Sequence, residues 1–137
     1  MPELPEVETV VRGLNRLILK KKIMQVKHDW PKSFPNLEKD VNDFMIGAEI
    51  SKVQRRGKAI IIKLNNGWAL VTHLRMTGQM VYRGEENWGA GHPNDDFLND
   101  LPNKSTRVEI DFEDQTKLFF NDQRKFGYMK LLPEPEI

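Results

Sequence analysis

Residues 58–74, with the sequence KAIIIKLNNGWALVTHL, contain the pattern that decides the fold. Two largely apolar runs, 58–64 and 68–74, are joined by Asn65-Asn66-Gly67, and a short connection containing Asn-Gly between such runs predicts a β-hairpin. Further short strands are predicted at 23–29, 50–55, 79–82, 107–112, 117–121 and 128–132. Many short strands with mostly tight connections predict an antiparallel β-sandwich or barrel.

Two helices are predicted beside these strands. Residues 5–20 form one apolar stripe with helical spacing, and Pro5 suits the first turn. The stripe consists of Val7, Val10, Val11, Leu14, Leu17 and Ile18. A shorter helix is predicted over 36–45, with Leu37, Val41, Phe44 and Met45 on one side and Gly47 as its stop. The expected class is therefore α+β, mainly β: an antiparallel β-sandwich flanked by an N-terminal helix and a second, shorter helix.

Two segments lack a core-forming pattern. Residues 84–105 are rich in Gly, Asn, Asp and Pro, which predicts a long, mobile surface loop. Residues 133–137 contain Pro-Glu-Pro-Glu, which is typical of a linker. We therefore expect one domain over 1–132 and the start of an interdomain linker over 133–137.

Composition excludes several classes of function. The chain has no cysteine, and its three histidines lack the spacing of a metal motif, so we expect no metal or cofactor in this chain. No apolar run approaches the roughly 18 residues that cross a bilayer, so we expect a cytoplasmic protein of the cytosol or nucleoid. Residues 1–83 carry 15 Lys+Arg and 8 Asp+Glu, and residues 84–137 carry 6 and 12, which is a net charge of +7 against −6. The basic half is a candidate polyanion-binding surface, although such asymmetry is also typical of an ordinary solvated surface.

The first residues suggest a nucleophile. If Met1 is removed, Pro2 has a free secondary amine, and an α-amino group has a pKa of about 8, well below that of an ordinary lysine. Such an amine can attack a sugar carbon and form an iminium ion, which promotes elimination of a phosphate. Glu3 could act as the acid–base group, and Glu6, near the helix N-terminus, would stay ionised and orient the nucleophile. A Pro-Glu start also simply suits the first turn of a helix, and if Met1 is retained Pro2 cannot react.

Four segments in the same order resemble the formamidopyrimidine-DNA glycosylase family. They are the opening 2–10 (PELPEVETV), 55–58 (RRGK), 73–78 (HLRMTG) and 121–127 (NDQRKFG). The resemblance implies a base-excision repair glycosylase with AP lyase activity that removes oxidised purines, 8-oxoguanine and formamidopyrimidines, through a Schiff base on Pro2 and β,δ-elimination. It further implies a monomer whose partner is damaged double-stranded DNA.

The same resemblance assigns site residues. Lys58 would reach the sugar-phosphate of the lesion, and His73 would contact a phosphate. Met76 would fill the gap that the extruded nucleotide leaves, while Arg124 pairs with the orphaned base and Phe126 stacks beside it. Taken alone, 55–58 is an ordinary basic turn, Met76 could be core, and 121–127 could be a polar turn.

The resemblance covers only the N-terminal half of the family's length. A helical DNA-binding domain and a cysteine zinc finger with one zinc ion, which follow in the family, are not present after Ile137. We therefore expect residues 1–137 alone to bind DNA weakly and turn over slowly or not at all. Arg75 stands where many members have glycine, and Ala59 where an aromatic residue is common.

Three alternatives remain open at this point. The sibling endonuclease VIII group uses the same chemistry on oxidised pyrimidines, although Leu4 favours the purine-directed branch because siblings commonly have glycine there. A DNA-binding module could have kept the basic surface without the chemistry. A generic β-sandwich without any nucleic-acid role is the third.

Overall fold

Nine β-strands form two antiparallel sheets in the part of the chain that the computed structural model describes, residues 4–93 and 99–137. The strands are β1 Ile23–His28, β2 Ile50–Arg56, β3 Ala59–Leu64, β4 Trp68–His73, β5 Gly78–Arg83, β6 Asn87–Gly91, β7 Thr106–Phe112, β8 Lys117–Asp122 and β9 Tyr128–Pro133. One sheet has the order β1-β7-β8-β5-β6 and the other β2-β3-β4-β9. The antiparallel sandwich predicted from the sequence is confirmed.

The β3–β4 hairpin has the predicted turn. Gly67 adopts φ +82°, a left-handed conformation that favours glycine, and Asn66 Oδ1 accepts a hydrogen bond from the Trp68 amide at 3.1 Å. The alternation of the strands then directs Ile60, Ile62 and Leu70 into the space between the two sheets, where they are fully buried. From β7 and β8, Phe112 and Phe120 enter the same core.

The N-terminal helix, α1 Leu4–Leu17, fills one open side of the sandwich. Its apolar stripe is buried as predicted, except that Leu17 is half-buried. The helix ends at Leu17 rather than at the predicted residue 20, which has a left-handed φ of +67°. α1 packs against β2 and β6, the edge strands on that side. Asn15 holds the edge of β2 with both groups of its amide: Nδ2 donates to the Val53 carbonyl at 2.7 Å, and Oδ1 accepts from the Val53 amide at 3.0 Å. An edge strand whose polar groups are paired in this way cannot template further strands.

Residues 31–46 cover the opposite side. They contain a 3₁₀ turn Pro31–Ser33 and a short helix, α2 Glu38–Asp40, which continues as a π-helical turn Val41–Met45. Asn36 pairs with the edge strand β9, because its amide donates to the Met129 carbonyl at 3.1 Å and accepts from the Leu131 amide at 2.7 Å.

The prediction for this second helix is partly wrong. The helix begins at Glu38 rather than residue 36, and Leu37 is 71% exposed instead of belonging to its apolar side. Leu37 precedes the first turn with an extended backbone (ψ 135°), so helical spacing does not apply to it. Met45 is buried and Gly47 ends the segment with φ +83°, as predicted.

The prediction of one long loop over 84–105 is also wrong. Residues Asn87–Gly91 form β6, which pairs with β5 along its whole length. Trp88 packs on α1 so closely that a Cβ added to Gly13 would overlap its ring. The sequence of β6 has five residues, two of them glycines, and shows no alternation of apolar and polar side chains. The strand is therefore stabilised by pairing with β5 and by the packing of Trp88. The loop prediction for 94–98 lies outside the described residues.

The chain end is bonded to the hairpin. A 3₁₀ turn, Glu134–Glu136, follows β9. The Glu134 amide donates to the Gly67 carbonyl at 2.9 Å, and the Glu134 carboxylate forms an ion pair with Lys63 at 3.3 Å. The domain boundary at residue 132 stays a prediction. Among the described helices, none combines the length and apolarity that a bilayer crossing requires.

Candidate nucleic-acid interface

Three of the predicted site segments meet in a row at one end of the four-stranded sheet. The register pairs Arg56 with Ala59 across the β2–β3 turn, Ala59 with His73, and His73 with Tyr128. The β4–β5 connector, residues 74–77, leaves from His73, and the β8–β9 turn, residues 123–127, leads into Tyr128. Segments far apart in sequence therefore share one end of the sheet.

The start of α1 lies at the same end. Glu8 on its second turn accepts from Arg55 Nε at 3.1 Å, and Arg55 Nη1 donates to the Gly57 carbonyl at 3.0 Å. Since Asn15 contacts Val53 farther back on β2, α1 runs antiparallel to that strand and begins beside the β2–β3 turn. Glu6 is half-buried on the first turn. The predicted nucleophile Pro2 and acid–base group Glu3 lie outside the described residues.

Met76, Arg124 and Phe126 form an exposed cluster on the two loops. Arg124 Nη1 lies 3.6 Å from Met76 Sδ, and its guanidinium carbon lies 5.8 Å from the centre of the Phe126 ring. Met76 is 38% exposed and Phe126 58%, so neither is a core residue. Exposed apolar side chains around a guanidinium suit a ligand with both flat apolar faces and polar edges.

A buried carboxylate fixes the geometry of this cluster. Asp122 is fully buried; one oxygen accepts from the Gly127 amide at 2.6 Å, and the other accepts from the Thr77 hydroxyl and from the Arg124 amide, the latter at 3.3 Å. The Arg124 amide also donates to Thr77 Oγ1 at 3.2 Å. The carboxylate thus ties the β4–β5 connector to the β8–β9 turn.

Sequence reasoning missed Asp122 and Thr77 as positioning residues. Both lie inside segments that carry the family resemblance, yet no role was assigned to them. Asp122 begins the predicted turn, two residues before Arg124, and an Asp at such a position commonly accepts a hydrogen bond from the amide two residues on. That pattern could have identified Asp122.

The surroundings of His73 favour its uncharged form. Burial, followed by the positive charges of Arg75 and Lys58, lowers the pKa of His73. Its ring lies 5.8 Å from that of Tyr128, and its buried Nδ1 has no hydrogen-bond partner among the described residues. The influence of Lys58 on His73 also places that lysine beside the row. A neutral ring at pH 7 can both donate and accept a hydrogen bond.

The described residues offer no metal site, since residues 4–93 and 99–137 contain no group of three or more His, Cys, Asp or Glu side chains close enough to hold an ion.

Comparison with known sequences gives a family match. The family profile described as the formamidopyrimidine-DNA glycosylase N-terminal domain matches residues 1–129. A formamidopyrimidine-DNA glycosylase of Lactiplantibacillus plantarum is 40% identical over 99% of this chain and 45% of its own length. One from Exiguobacterium sp. is 42% identical over 96% of this chain and 43% of its own length. The chain thus spans slightly less than half the length of these relatives.

Solved structures of the Lactococcus lactis protein Fpg are similar over nearly the whole chain. Its complex with DNA containing N7-benzyl-Fapy-dG superposes with a TM-score of 0.81 at 28% identity, covering 98% of this chain and 45% of that one. Its complex with DNA containing an abasic site gives a TM-score of 0.80 at 28% identity, covering 98% and 44%.

Proposed function

This chain belongs to the formamidopyrimidine-DNA glycosylase N-terminal domain family, and we propose on that basis that it is the catalytic part of a base-excision repair enzyme that removes oxidised purines from DNA. The observation that carries the proposal is the gathering of the site segments at the end of the sheet where α1 begins. DNA in two solved complexes of the Lactococcus lactis relative, with a Fapy-dG derivative and with an abasic site, supports both a damaged purine and its product as ligands.

The exposed cluster would hold the duplex open. An enzyme that acts on a base in a duplex must extrude the nucleotide, which costs a few kcal/mol of lost stacking and pairing. Met76 would fill the vacated space and Phe126 would stack beside it, which offsets part of that cost. Arg124, whose guanidinium lies between them, would donate to the acceptors of the orphaned base, which in an 8-oxoguanine pair is cytosine.

Pro2 would supply the nucleophile once Met1 has been removed. Its amine nitrogen bonds to C1′ of the damaged nucleotide, and the glycosidic bond breaks with its electron pair going to the base, which takes up a proton. Opening of the C1′–O4′ bond then gives an iminium ion on Pro2. That cation is an electron sink: loss of a 2′ proton lets the C3′–O3′ bond break and the 3′ phosphate leave. A second elimination at C5′ releases the other phosphate.

The remaining catalytic roles follow from charge and position. Glu3, adjacent to Pro2, would transfer the protons of base release and ring opening. Glu6, on the first turn of α1, would orient the amine. Lys58, on the turn beside His73, would bind the phosphate next to the lesion, and His73 would bind a phosphate as a neutral donor.

The rest of the enzyme is also part of the proposal. The family's helical domain and zinc finger would close the phosphate clamp, with one zinc ion held outside this chain, which has no cysteine to ligate it. A protein of residues 1–137 alone should therefore bind damaged duplex DNA weakly, as a monomer, with strong salt dependence. A DNA substrate would place the bacterial enzyme at the cytoplasmic nucleoid.

Borohydride trapping tests this function. The full protein that contains these residues is incubated with duplex DNA containing 8-oxoguanine or an abasic site, and the reduced covalent adduct is measured on a denaturing gel. We expect an adduct that Pro2→Gly nearly abolishes, while Lys39→Ala on α2, outside the predicted site segments, leaves it unchanged.

The other outcomes identify the rivals. A gel shift without any adduct would mean a non-catalytic DNA-binding module. An adduct on oxidised pyrimidines but not on 8-oxoguanine would mean the endonuclease VIII activity. Binding that is insensitive to Arg124→Ala and Met76→Ala would mean that the cluster does not contact DNA.

A further inference from the structure

Arg75 adopts a backbone conformation that its side chain does not favour. It lies on the β4–β5 connector with φ +56°, in the left-handed region, where a residue other than glycine is uncommon and costs on the order of 1 kcal/mol. Glycine would make this turn without that cost. Lys20 and Lys125 share such a φ, so the conformation alone assigns no role, and the role of Arg75 follows from the surroundings of its side chain.

The surroundings of Arg75 are cationic and aromatic. Its guanidinium carbon lies 5.8 Å from the centre of the Tyr128 ring, and its charge, together with that of Lys58, acts on His73. The residue is exposed, and among the described residues no carboxylate forms an ion pair with it. Arg75 immediately precedes Met76, so it lies between the exposed cluster and the Lys58–His73 side of the site.

We infer that Arg75 binds a backbone phosphate of the DNA, as a contact additional to those of Lys58 and His73. Contact with an aromatic ring uses none of the N–H donors of the Arg75 guanidinium, and their fork matches two phosphate oxygens. Arg75 is the one cationic side chain on the β4–β5 connector, residues 74–77. The inference rests on the DNA-binding role proposed above.

The salt dependence of binding tests it. One lost phosphate contact lowers the slope of log Kobs against log salt by about 0.9. Affinity for a short duplex with a tetrahydrofuran abasic analogue is measured between roughly 50 and 200 mM salt. Over this range, one phosphate contact changes the affinity about threefold to fourfold. We expect Arg75→Gly to weaken binding at the low-salt end and to lower the slope of log Kobs against log salt by about 0.9, on damaged and undamaged duplexes alike. Arg75→Lys should keep the slope.

Lys20 provides the matched control. It is also a cation with positive φ (+67°), but its amide bonds to the Ile50 carbonyl at the opposite end of β2, about 20 Å from the site by strand length. Lys20→Gly removes one charge and relieves the same kind of backbone conformation, so it should leave the slope unchanged.

Failure of this inference differs from failure of the proposed function. If the unmodified protein does not bind either duplex, the DNA-binding role itself is wrong. If it binds but Arg75→Gly retains the full slope, or weakens binding to the same extent as Lys20→Gly, Arg75 does not contact a phosphate. A loss confined to particular base sequences would instead make Arg75 a base-reading residue and would also overturn the inference.

Discussion

Replacement of Asp122 should both destabilise the domain and loosen the site. Asp122→Ala leaves the Gly127 amide, which now donates to the carboxylate at 2.6 Å, and the Thr77 hydroxyl without their acceptor in a fully buried place. A hydrogen bond to a charged group contributes about 1.5–3 kcal/mol, so two such losses amount to about 3–6 kcal/mol. The Arg124 amide adds little, because its bond is 3.3 Å long and Thr77 Oγ1 also accepts it.

Asp122→Asn should cost less, about 1–2 kcal/mol. The amide has the same shape and can rotate so that its oxygen still accepts from Gly127, but it loses the charge and one acceptor. Thr77→Val removes one hydroxyl and should cost about 1 kcal/mol. The predicted order of destabilisation is therefore Asp122→Ala, then Asp122→Asn, then Thr77→Val.

Urea unfolding followed by fluorescence of the three tryptophans measures these costs. With a slope of about 1–3 kcal/mol per molar urea, a loss of 2 kcal/mol lowers the midpoint by about 1 M. Gel shifts on the same variants should show Asp122→Asn weakening DNA binding more than Thr77→Val, because both Arg124 and Phe126 depend on this turn. An Asp122→Ala protein within 1 kcal/mol of the unmodified chain would refute the claim that this carboxylate holds the two loops together.

Three further predictions concern other contacts. Gly13→Ala should lower the melting temperature even though alanine favours a helix by about 1 kcal/mol, because the added Cβ overlaps Trp88 and overpacking costs about 1–3 kcal/mol. In a Trp88→Leu background, which has its own lower melting temperature, the same Gly13→Ala change should no longer be destabilising in calorimetry. Although burial opposes it, hydrogen bonds from Lys21 and Thr116 lower the pKa of Asp114 to about 2, so its stabilisation is present above pH 3.8 and is lost as pH falls toward 2. The free energy of unfolding of Asp114→Asn should therefore be lower by about 1 kcal/mol at pH 7, a value that is reduced because this carboxylate is half exposed. If the same difference in unfolding free energy persisted at pH 2, the lowered pKa of Asp114 would be contradicted. Arg75→Gly should raise the pKa of His73 in an NMR titration, because the charge of Arg75 helps to lower it. The free energy of unfolding should then fall less steeply as pH drops below 6.5. An unaltered pKa would mean that Arg75 does not act on this ring.

Local patterns predicted those parts of the fold that local interactions determine. The Asn-Gly connection at 65–67 and the stripe from Val7 to Ile18 encode a turn and a buried face within a few residues, and both are confirmed. Strand β6 was missed because Asn87–Gly91 has no pattern of its own; pairing with β5 and the packing of Trp88 on Gly13 stabilise it. Gly13 lies far from Trp88 in the sequence, so no local pattern in Asn87–Gly91 indicates that contact.

The sequence likewise indicated some residues of the candidate site and missed others. Met76, Arg124 and Phe126 were identified through family resemblance, and their exposure and mutual contacts agree with a shared surface. Asp122 was missed because its importance comes from two loops that meet only in the folded chain. The positive φ of Arg75 was equally invisible, since nothing in the residue type indicates it.

The central claim is that Pro2 is the residue that bonds to the sugar. After borohydride reduction of the complex with abasic-site DNA, nuclease and trypsin digestion followed by mass spectrometry locates the adduct on one peptide. We expect the peptide ending at Arg12 to lack Met1 and to carry the sugar remnant on its N-terminal nitrogen. An adduct on Lys58 or another lysine, with an unmodified or Met1-capped N-terminus, would contradict it.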